Sequence, residues 1–472
     1  MKKNYAYAMG LIVVLIIAII AFHKVFSFKS NDGIYQMKTF YELEEDTVDV
    51  LVLGSSHAFV NINPMIIWEE SEIATFELCG SIAPLWNSYY FLREALKKQS
   101  PQLVILEGFG LTKEEEYADD SRVIKNVYGI KSITNKLGAL MTSVPEDRWL
   151  EFGFEYIQYH NRYKNLTAAD YKPYLDDKAY YSSWKGFGEG YAAYSFEKPQ
   201  VVNDGTRIEL AEKQEEYYRK IIELCQQENI PLLIAVVPYV NYDEGHMGIY
   251  NTAKDIAEEY GVDFCNFNEQ YEEIGINWDT DFMDGDHMGY IGNVRFSRYL
   301  SNYLTSHYQW KAHTDEREKY VSWDHALRYY QNNLVNFQIS QIQDINSYGD
   351  MIQKLPEHYR ILISVKGKMN EDDSCKSMKS LLNAWGILTD EAKRDCAWII
   401  SGTEIQCVSK TDYGYYWASR FGEKELLVDQ DGIYWNRQNY QKSEEGINIV
   451  IFDEENQVIA DSVSIIGSSI VR

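Results

Sequence analysis

Blocks of hydrophobic and polar residues alternate along the chain and predict alternating strands and helices. Short apolar runs predict buried strands at Val48–Leu53, Ala74–Leu78, Leu103–Leu106, Pro231–Val237 and Val262–Asn266. Helical spacing of apolar residues predicts helices at Leu85–Lys98, Arg207–Gln227, Asn251–Tyr260 and Gly292–Ser306. This alternation predicts an α/β domain whose parallel sheet is covered by helices on both faces. Ligands of such sheets bind at the carboxyl edge of the strands.

The amino terminus has a different pattern. Ala6–Phe22 is almost wholly apolar and lies between the basic pair Lys2 and Lys3 and the polar pair His23 and Lys24. Such a segment is about long enough to span a bilayer, and its basic flank favours a cytoplasmic amino end. No convincing small-x-small cleavage site follows, which favours an uncleaved signal anchor over a removed signal peptide. We therefore expect a single-pass membrane protein with most of its chain outside the cytoplasm.

An aromatic-rich segment at about residues 111–200 interrupts the alternation of strands and helices. Insertions of this length between sheet elements often build substrate sites. Its Tyr and Trp side chains suit the apolar C–H faces of sugar rings, and they equally suit the packing of a helical cap. The sequence leaves both interpretations open.

The last third of the chain predicts a smaller mixed α/β or β-rich domain. Predicted strands lie at Arg360–Val365, Trp398–Ile400, Gly446–Phe452 and Val458–Val463, with a helix at Lys376–Trp385 and a hairpin turn at Asp453–Asn456. A charged, aromatic helical pattern precedes this domain. We expect an anchor at 1–28, an α/β domain at 29–310, a helical connector at 311–355 and an accessory domain at 356–472.

Length and charge narrow the possible functions. The 472 residues exceed one ordinary core, so two or three domains are expected. The net charge of −26 argues against a nucleic-acid partner, whose phosphates need Lys and Arg. The cysteines lack metal-ligand spacing, and we expect no cofactor. One disulfide among Cys375, Cys396 and Cys407 is as expected as none.

The strongest candidate chemistry joins an early serine to a late acid–base motif. Ser56 follows the first predicted strand, and Asp284-Gly285-Asp286-His287 precedes the last predicted helix. Acyl transfer needs a hydroxyl nucleophile, a base within hydrogen-bond reach and a carboxylate that orients the base. Ser56, His287 and Asp284 suit these three catalytic roles, and Asp286 competes with Asp284 for the third.

Other residues are candidates for oxyanion and substrate binding. The Ser56 and Gly80 amides each follow a predicted strand and could stand side by side as oxyanion donors. His57 could add a donor or line the pocket. His160 and Arg162 could bind an acyl carbonyl or a sugar hydroxyl, or form a structural pair.

These motifs resemble the SGNH, or GDSL-like, hydrolase superfamily. The resemblance covers about residues 48–306 and lies in Gly54-Ser55-Ser56-His57, in Phe76–Gly80 and in Asp284–His287. It implies a flavodoxin-like three-layer sandwich that acts on acyl esters without a metal, with Ser56 as the nucleophile.

The motifs also depart from the superfamily. Ser55 stands where Asp is usual, and Val104–Phe109 lacks the asparagine of the third motif. The chain looks more like the membrane-anchored branch that handles D-alanyl or acetyl groups on teichoic acid, alginate and related envelope polymers. That resemblance implies acyl transfer to a cell-surface glycan beside a membrane-bound O-acyltransferase.

The carboxyl-terminal domain is faintly similar to the interleukin-like EMT inducer domain, through Ile361–Lys366, Trp398–Gly402 and Gly446–Phe452. That resemblance implies an accessory module that holds glycan, and a purely structural domain fits as well. For the whole chain, an acyltransferase or esterase acting on an envelope polysaccharide is the first hypothesis. A non-catalytic glycan-binding scaffold is the alternative, and the geometry of Ser56, His287 and Asp284 discriminates between them.

Overall fold

A computed structural model describes most of the chain. The described residues are 2–176, 178, 181–313, 316–366, 380, 382–383, 396–402, 404–408, 415–419, 424–429, 432–444, 446–466 and 469–472. The chain divides into two compact units, residues 1–327 and 328–472.

The first helix, α1, spans Lys2–Phe26. Its 18-residue window Met9–Phe26 has a mean hydropathy of 2.6 and is almost entirely exposed. By length and composition it could cross a membrane, a property that signal sequences share.

Five parallel strands form the sheet of the first unit in the order β2-β1-β3-β4-β5. The strands are β1 Val50–Gly54, β2 Thr75–Cys79, β3 Leu103–Glu107, β4 Leu232–Val236 and β5 Asp263–Asn266. Every residue of β1–β4 is buried, as expected for strands covered on both faces. This order is that of flavodoxin-like sheets, and the predicted α/β class with a parallel sheet is confirmed.

Helices cover both faces of this sheet. Alternate side chains of a strand point to opposite faces, so Leu51 and Leu53 enter one core while Val50 and Val52 enter the other. The helices after α1 are α2 Gln36–Glu42, α3 Ser56–Asn61, α4 Pro64–Ser71, α5 Leu85–Ala95, α6 Asp120–Val127, α7 Ile133–Ser143, α8 Trp149–Gly153, α9 Glu155–Tyr159, α10 Lys172–Leu175, α11 Glu212–Gln227, α12 Glu244–Tyr260, α13 Tyr271–Ile274, α14 Tyr290–His307, α15 Val321–Gln341 and α16 Ile345–Ile352. Single turns of other helix types lie at Asn31–Tyr35, Gly108–Thr112, Glu146–Arg148, His160–Lys164, Ala168–Tyr171, Phe267–Glu269 and Arg317–Tyr320.

Helix α11 starts later than its sequence pattern predicts. It begins at Glu212 rather than at Arg207. The Ile208 amide donates to the Gly248 carbonyl at 3.0 Å, and the Arg207 guanidinium pairs with Asp255 at 2.8 Å. These contacts with α12 hold the segment before α11 outside the helix, so a tertiary contact overrides the local pattern.

Helix α12 starts earlier than predicted, at Glu244 rather than at Asn251. The Asp243 side chain accepts a hydrogen bond from the His246 amide at 2.8 Å and caps the helix. The cap extends the helix by two turns that the apolar spacing did not reveal.

The second unit is a β-rich antiparallel fold. Its larger sheet has the order β15-β14-β13-β6-β7-β8, and its smaller sheet has the order β12-β11-β10-β9. The strands are β6 Tyr359–Lys366, β7 Cys396–Ser401, β8 Glu404–Val408, β9 Tyr415–Ala418, β10 Glu425–Val428, β11 Ile433–Trp435, β12 Gln438–Asn439, β13 Gly446–Asp453, β14 Val458–Ile466 and β15 Ser469–Val471.

The large sheet of the second unit has an apolar core on each face. On one face Leu362 and Phe452 pack with Leu426 and Trp435 of the smaller sheet. On the other face Ile363, Ile449 and Ile451 pack with Ile345 and Tyr348 of α16. The unit is therefore a two-sheet sandwich with a helix on its outer side. The predicted helix Lys376–Trp385 and Cys375 lie largely outside the described residues.

Candidate active site

The turn after β1 presents Ser56 at the carboxyl edge of the sheet. Gly54 closes the strand with a φ of +154°, and a Cβ on it would lie 2.8 Å from the Glu107 Cβ, so glycine is required. Ser55 then caps α3, because its Oγ accepts from the His57 amide at 3.2 Å. Ser56 is the first residue of α3, where backbone N–H groups have no partner within the helix.

The structure brings Ser56, His287 and Asp284 together. The Ser56 Oγ lies 2.8 Å from the His287 Nε2. Both carboxylate oxygens of Asp284 lie 3.0 Å from the His287 Nδ1. A hydroxyl, an imidazole and a carboxylate in this order can activate the hydroxyl as a nucleophile.

Of the two acids in the motif, Asp284 is the one that contacts His287. Its Oδ1 also accepts the amides of Asp286 and His287 at 2.8 Å each. Burial raises the pKa of Asp284, but these amides and the imidazole outweigh burial and hold that pKa below its ordinary value. The Asp286 carboxylate instead accepts from the Asn241 side chain at 2.9 Å.

The loop that carries His287 is fastened to the helix that carries Ser56. The Met283 amide donates to the His287 carbonyl at 3.0 Å, which closes the loop on itself. The Met288 amide donates to the Asn61 side chain at 2.7 Å, and Asn61 is the last residue of α3. Ser56 and His287 therefore lie in one hydrogen-bonded frame.

Gly80 occupies a different environment from the one that a free oxyanion donor requires. Its amide donates to the Gly54 carbonyl at 3.3 Å, so an oxyanion would have to share or displace this bond. A Cβ on Gly80 would overlap the side-chain oxygen of Asn126. Asn126 is 1% exposed, and neither atom of its amide has a hydrogen-bond partner among the described residues.

Asn126 is a candidate functional residue that the sequence pattern did not reveal. Buried amides are normally hydrogen-bonded, so an unpartnered one beside the sheet edge needs an explanation. Its position on α6, inside the aromatic-rich insertion, gave no signal by spacing. An amide donor here could replace the asparagine that the segment after β3 lacks.

His57 is buried next to His287. Its ring stacks on Phe109 with a centroid distance of 3.5 Å and meets the edge of Tyr239 at 5.1 Å. The ring centroids of His57 and His287 are 5.4 Å apart. Burial and then the charge of His287 lower the pKa of His57 well below its ordinary value, so the ring is neutral. Its place is in the wall behind His287.

Glu107 supports the nucleophile turn from the end of β3. Its carboxyl group accepts from the Phe109 amide at 2.8 Å and from the Ser55 hydroxyl at 3.4 Å. Burial raises the pKa of Glu107 to about 8, which keeps the carboxyl group largely protonated at neutral pH. Nothing in the sequence signalled this role of Glu107, which lies in the Val104–Phe109 segment that lacks the asparagine of the third motif.

The predicted substrate-binding pair of the insertion has structural contacts instead. The Arg162 guanidinium donates to the Phe26 and Ser27 carbonyls and to Asp170. The exposed His160 ring contacts the Ile157 carbonyl at 2.5 Å. Arg162 therefore fastens the insertion to the end of α1, and neither residue contacts Ser56 or His287 through these bonds.

The end of the insertion forms one wall of the site. The Gly188 amide donates to the Phe59 carbonyl of α3 at 2.7 Å. The Tyr194 amide donates to the Phe282 carbonyl, just before the loop that carries His287, at 2.8 Å. The Tyr194 side chain is 59% exposed. The exposed residue Tyr194 is thus attached through its backbone to the loop that holds His287.

Three aromatic residues of the insertion, Phe152, Tyr159 and Phe187, are core residues. Tyr159 and Phe187 are buried, and Phe152 is fully buried. The packing interpretation holds for these side chains, while Tyr194 stays available to a ligand.

Within the described residues no group of three or more His, Cys, Asp or Glu side chains could hold a metal ion. Cys79, Cys225, Cys265 and Cys407 are free thiols. Cys375 and the Cys396 side chain lie outside the described part of the chain, so the even choice between one disulfide and none among the last three cysteines stays a prediction.

Comparisons with known proteins add little to this geometry. No protein-family model and no curated protein matches the chain. Among solved structures, it is similar to an acetyl xylan esterase with 12% identity and a TM-score of 0.27, over 54% of this chain and 98% of that one. It is also similar to a Bacteroides fragilis protein provisionally described as an acylhydrolase, with 10% identity and a TM-score of 0.28, over 57% of this chain and 94% of that one. Similarity at these TM-scores carries no argument, so the functional conclusion depends on the site itself.

Proposed function

We propose that this protein is a serine-dependent enzyme of the SGNH type that transfers or hydrolyses acyl groups on a cell-envelope polysaccharide. One observation carries the proposal. The Ser56 hydroxyl lies 2.8 Å from the His287 Nε2, and the other imidazole nitrogen lies 3.0 Å from both oxygens of Asp284. This arrangement meets the geometric requirement for an activated serine.

The reaction follows from the positions of the three side chains. The Ser56 Oγ attacks the acyl carbonyl while the His287 Nε2 takes its proton, and Asp284 stabilises the imidazolium that forms. Collapse of the tetrahedral intermediate expels the alcohol, which receives the proton from His287, and leaves an acyl group on Ser56. A water molecule or a glycan hydroxyl then gives its proton to His287 and attacks this ester. Collapse of the second tetrahedral intermediate breaks the bond to the Ser56 Oγ, which takes the proton back from His287 and restores the free hydroxyl. Water gives hydrolysis, and a glycan hydroxyl gives transfer.

Two donors are proposed for the oxyanion. The Ser56 amide is at the first position of α3, where no intrahelical acceptor exists. The second donor is the Asn126 side chain, which is buried against Gly80 without a hydrogen-bond partner among the described residues. The Gly80 amide already donates to the Gly54 carbonyl, so its predicted role would require that bond to be shared.

A sugar is the proposed acyl acceptor or donor. Tyr194 is exposed and its backbone is attached to the loop that carries His287, and aromatic faces suit the apolar C–H faces of sugars. A glycan-binding role for the second unit, and cooperation with a membrane-bound O-acyltransferase, belong to the same proposal.

The proposed location is outside the cytoplasm, with α1 as the anchor. The support is the apolar, exposed Met9–Phe26 window and the basic Lys2 and Lys3 before it. A soluble form released by cleavage of a signal sequence would carry the same catalytic residues.

The alternative of a non-catalytic glycan-binding scaffold predicts that the three residues lie apart. The 2.8 Å separation of the Ser56 hydroxyl and His287 favours the enzyme. An intact nucleophile–base pair is an unnecessary feature for a scaffold.

Labelling with a fluorophosphonate probe tests the proposal. The full-length protein should be labelled, and Ser56→Ala should abolish labelling while circular dichroism and the unfolding temperature stay unchanged. Ser195→Ala is the matched control, since this exposed serine bonds Asp279 and contacts neither His287 nor Asp284. Labelling that persists in Ser56→Ala would refute the choice of nucleophile. Absence of labelling in the folded wild-type protein would favour the scaffold.

A further inference from the structure

The insertion contacts the end of α1 as well as the loop that carries His287. The Phe22 and Tyr156 ring centroids are 5.9 Å apart, and those of His23 and Tyr159 are 5.8 Å apart. These rings come from the last two turns of α1 and from α9. The insertion is therefore fixed to the place where the apolar helix ends.

Protein side chains satisfy the backbone carbonyls at this end of α1. The Lys29 ammonium donates to the Lys24 and Val25 carbonyls at 2.8 and 2.6 Å. The Arg162 guanidinium donates to the Phe26 carbonyl at 2.9 Å and also to the Ser27 carbonyl. The last carbonyls of a helix normally rely on water or caps, and in lipid they must be satisfied by protein. The carbonyl groups at this end of α1 therefore have protein donors in place of water.

Exposed apolar side chains concentrate in the same part of the molecule. We name this set the apolar collar, and it consists of Ile133, Leu137, Met141, Leu150, Phe154, Tyr156, Ile157, Tyr163 and Tyr171. The first three follow a four-residue spacing on α7 and therefore share one helix face. Leu150 and Ile133 are 74% and 75% exposed.

The parts of the collar are held together as one surface. The Lys136 ammonium of α7 pairs with Glu155 of α9. The Trp149 indole, at the start of α8, donates to the Met141 carbonyl at 3.3 Å. Tyr156 belongs to the collar and also contacts Phe22 of α1. The collar is thus continuous with the end of the apolar helix.

We propose that the apolar collar lies in the interfacial layer of the membrane that α1 crosses, at the boundary between lipid headgroups and acyl chains. Large exposed apolar patches mark binding surfaces, and Tyr side chains suit a boundary that is apolar on one side and wet on the other. The occupant is lipid because the collar adjoins the end of α1 through the contact of Tyr156 with Phe22, and that end is at membrane level if α1 spans. The inference rests on α1 as a membrane span and is independent of the acyl chemistry.

A collar in the interfacial layer would fix the orientation of the first unit relative to the membrane. The Arg162 and Lys29 bonds leave no flexible linker between α1 and the insertion. With the collar immersed, the first unit would be held against the bilayer rather than tethered above it. Its substrate would then be a polymer segment or carrier close to the membrane surface.

Quenching of a site-specific fluorophore in the full-length protein tests the collar. Phe154→Cys carries the fluorophore, in a background where Cys375, Cys396 and Cys407 are replaced by Ser and the buried Cys79, Cys225 and Cys265 are kept. The protein is reconstituted in phosphatidylcholine–phosphatidylglycerol vesicles. Nitroxide-labelled lipid and aqueous iodide are the two quenchers. Leu150→Cys repeats the measurement in case Phe154→Cys does not fold.

Two further labelled sites calibrate the result. Val202→Cys is the control for water exposure, because Val202 is 78% exposed and outside the collar. Leu15→Cys, in the middle of the apolar window, is the control for lipid. Burial in the interfacial layer should make lipid quenching of the collar probe at least about fivefold stronger than at Val202, with iodide quenching reduced to match.

The other outcomes overturn the proposal in distinguishable ways. Iodide quenching at Phe154 equal to that at Val202, with Leu15 quenched by lipid, means that α1 spans but the collar stays in water. Absence of lipid quenching at Leu15 removes the span and the collar together, without affecting the Ser56 labelling test. Protection of Phe154 from both quenchers means that protein covers the collar, either a second copy or a membrane protein.

Discussion

Replacement of Asp284 by Asn isolates the role of the orienting carboxylate. In the structure both carboxylate oxygens face the His287 Nδ1, and Oδ1 also accepts two backbone amides. In Asp284→Asn the remaining carbonyl oxygen keeps those two amides, so the new NH2 group faces Nδ1. Nδ1 must then accept a hydrogen bond, which moves the ring proton to Nε2. That is the atom that has to take the proton from Ser56.

The expected loss is large in rate and small in stability. An asparagine in place of a triad aspartate lowers kcat by about 10⁴-fold, or about 5 kcal/mol of activation free energy. The Asp284 side chain is 51% exposed, so the free energy of unfolding should change by only about 1 kcal/mol. The wrong tautomer, and not misfolding, would cause the loss.

Asp286→Asn is the matched control two residues away. Its carboxylate bonds Asn241 and does not contact His287. Surface changes of this kind usually shift free energies by about 0.5 kcal/mol, so its rate should stay within about twofold of wild type. The assay is the rate of fluorophosphonate labelling, with hydrolysis of p-nitrophenyl acetate as a second readout. A labelling rate of Asp284→Asn within tenfold of wild type would refute the reasoning. An equal loss of labelling rate in Asp286→Asn would also refute it.

Three further predictions concern the supporting residues. Burial raises the pKa of Glu107 to about 8, above its ordinary value of 4.5. Between these two pH values the native state holds a proton that the unfolded state releases. The free energy of unfolding should therefore fall as pH rises from about 4.5 to 8. In urea unfolding experiments, the free energy of unfolding of Glu107→Gln should fall less with rising pH than that of the wild type. The same pH dependence in both proteins would contradict this prediction. Asn126→Ala should lower kcat by about 10² to 10³-fold with little change in KM, and an unchanged kcat would rule out its donor role. Arg162→Ala leaves the buried Asp170 carboxylate without this guanidinium and should lower the free energy of unfolding by about 3 kcal/mol, while the Ser56 labelling rate at low temperature stays the same. An unchanged unfolding curve would contradict the structural role of Arg162.

Some features of the fold could be predicted from local sequence. The strands of the first unit are continuous apolar runs because both of their faces are buried, and this pattern is visible without any structure. The Met9–Phe26 window is equally visible, since length and hydropathy alone define it. The choice of Ser56 and His287 as candidates came from residue type and position at strand and helix ends.

The details of the site depended on contacts that join distant parts of the chain. The Asp-x-x-His spacing favoured Asp284 with Asp286 as a competitor, and the folded loop shows that the Asp284 carboxylate faces the imidazole while Asp286 accepts from Asn241. Gly80 looked like a free donor because its bond to the Gly54 carbonyl forms between two separate strands. The sequence left Arg162 open between ligand binding and a structural role, because its partners at the end of α1 are more than a hundred residues away.

By itself the sequence determined the α/β class, the apolar amino-terminal helix and the candidate nucleophile and base. These properties depend on the burial pattern of neighbouring residues and on side-chain chemistry. The tertiary structure showed that Asp284, the acid chosen from the sequence, is the one that contacts His287, and it decided where Asn126 and Glu107 lie and where α11 begins. Hydrogen bonds and close contacts between segments that are distant in sequence determine those features. The local hydrophobic periodicity does not predict such contacts.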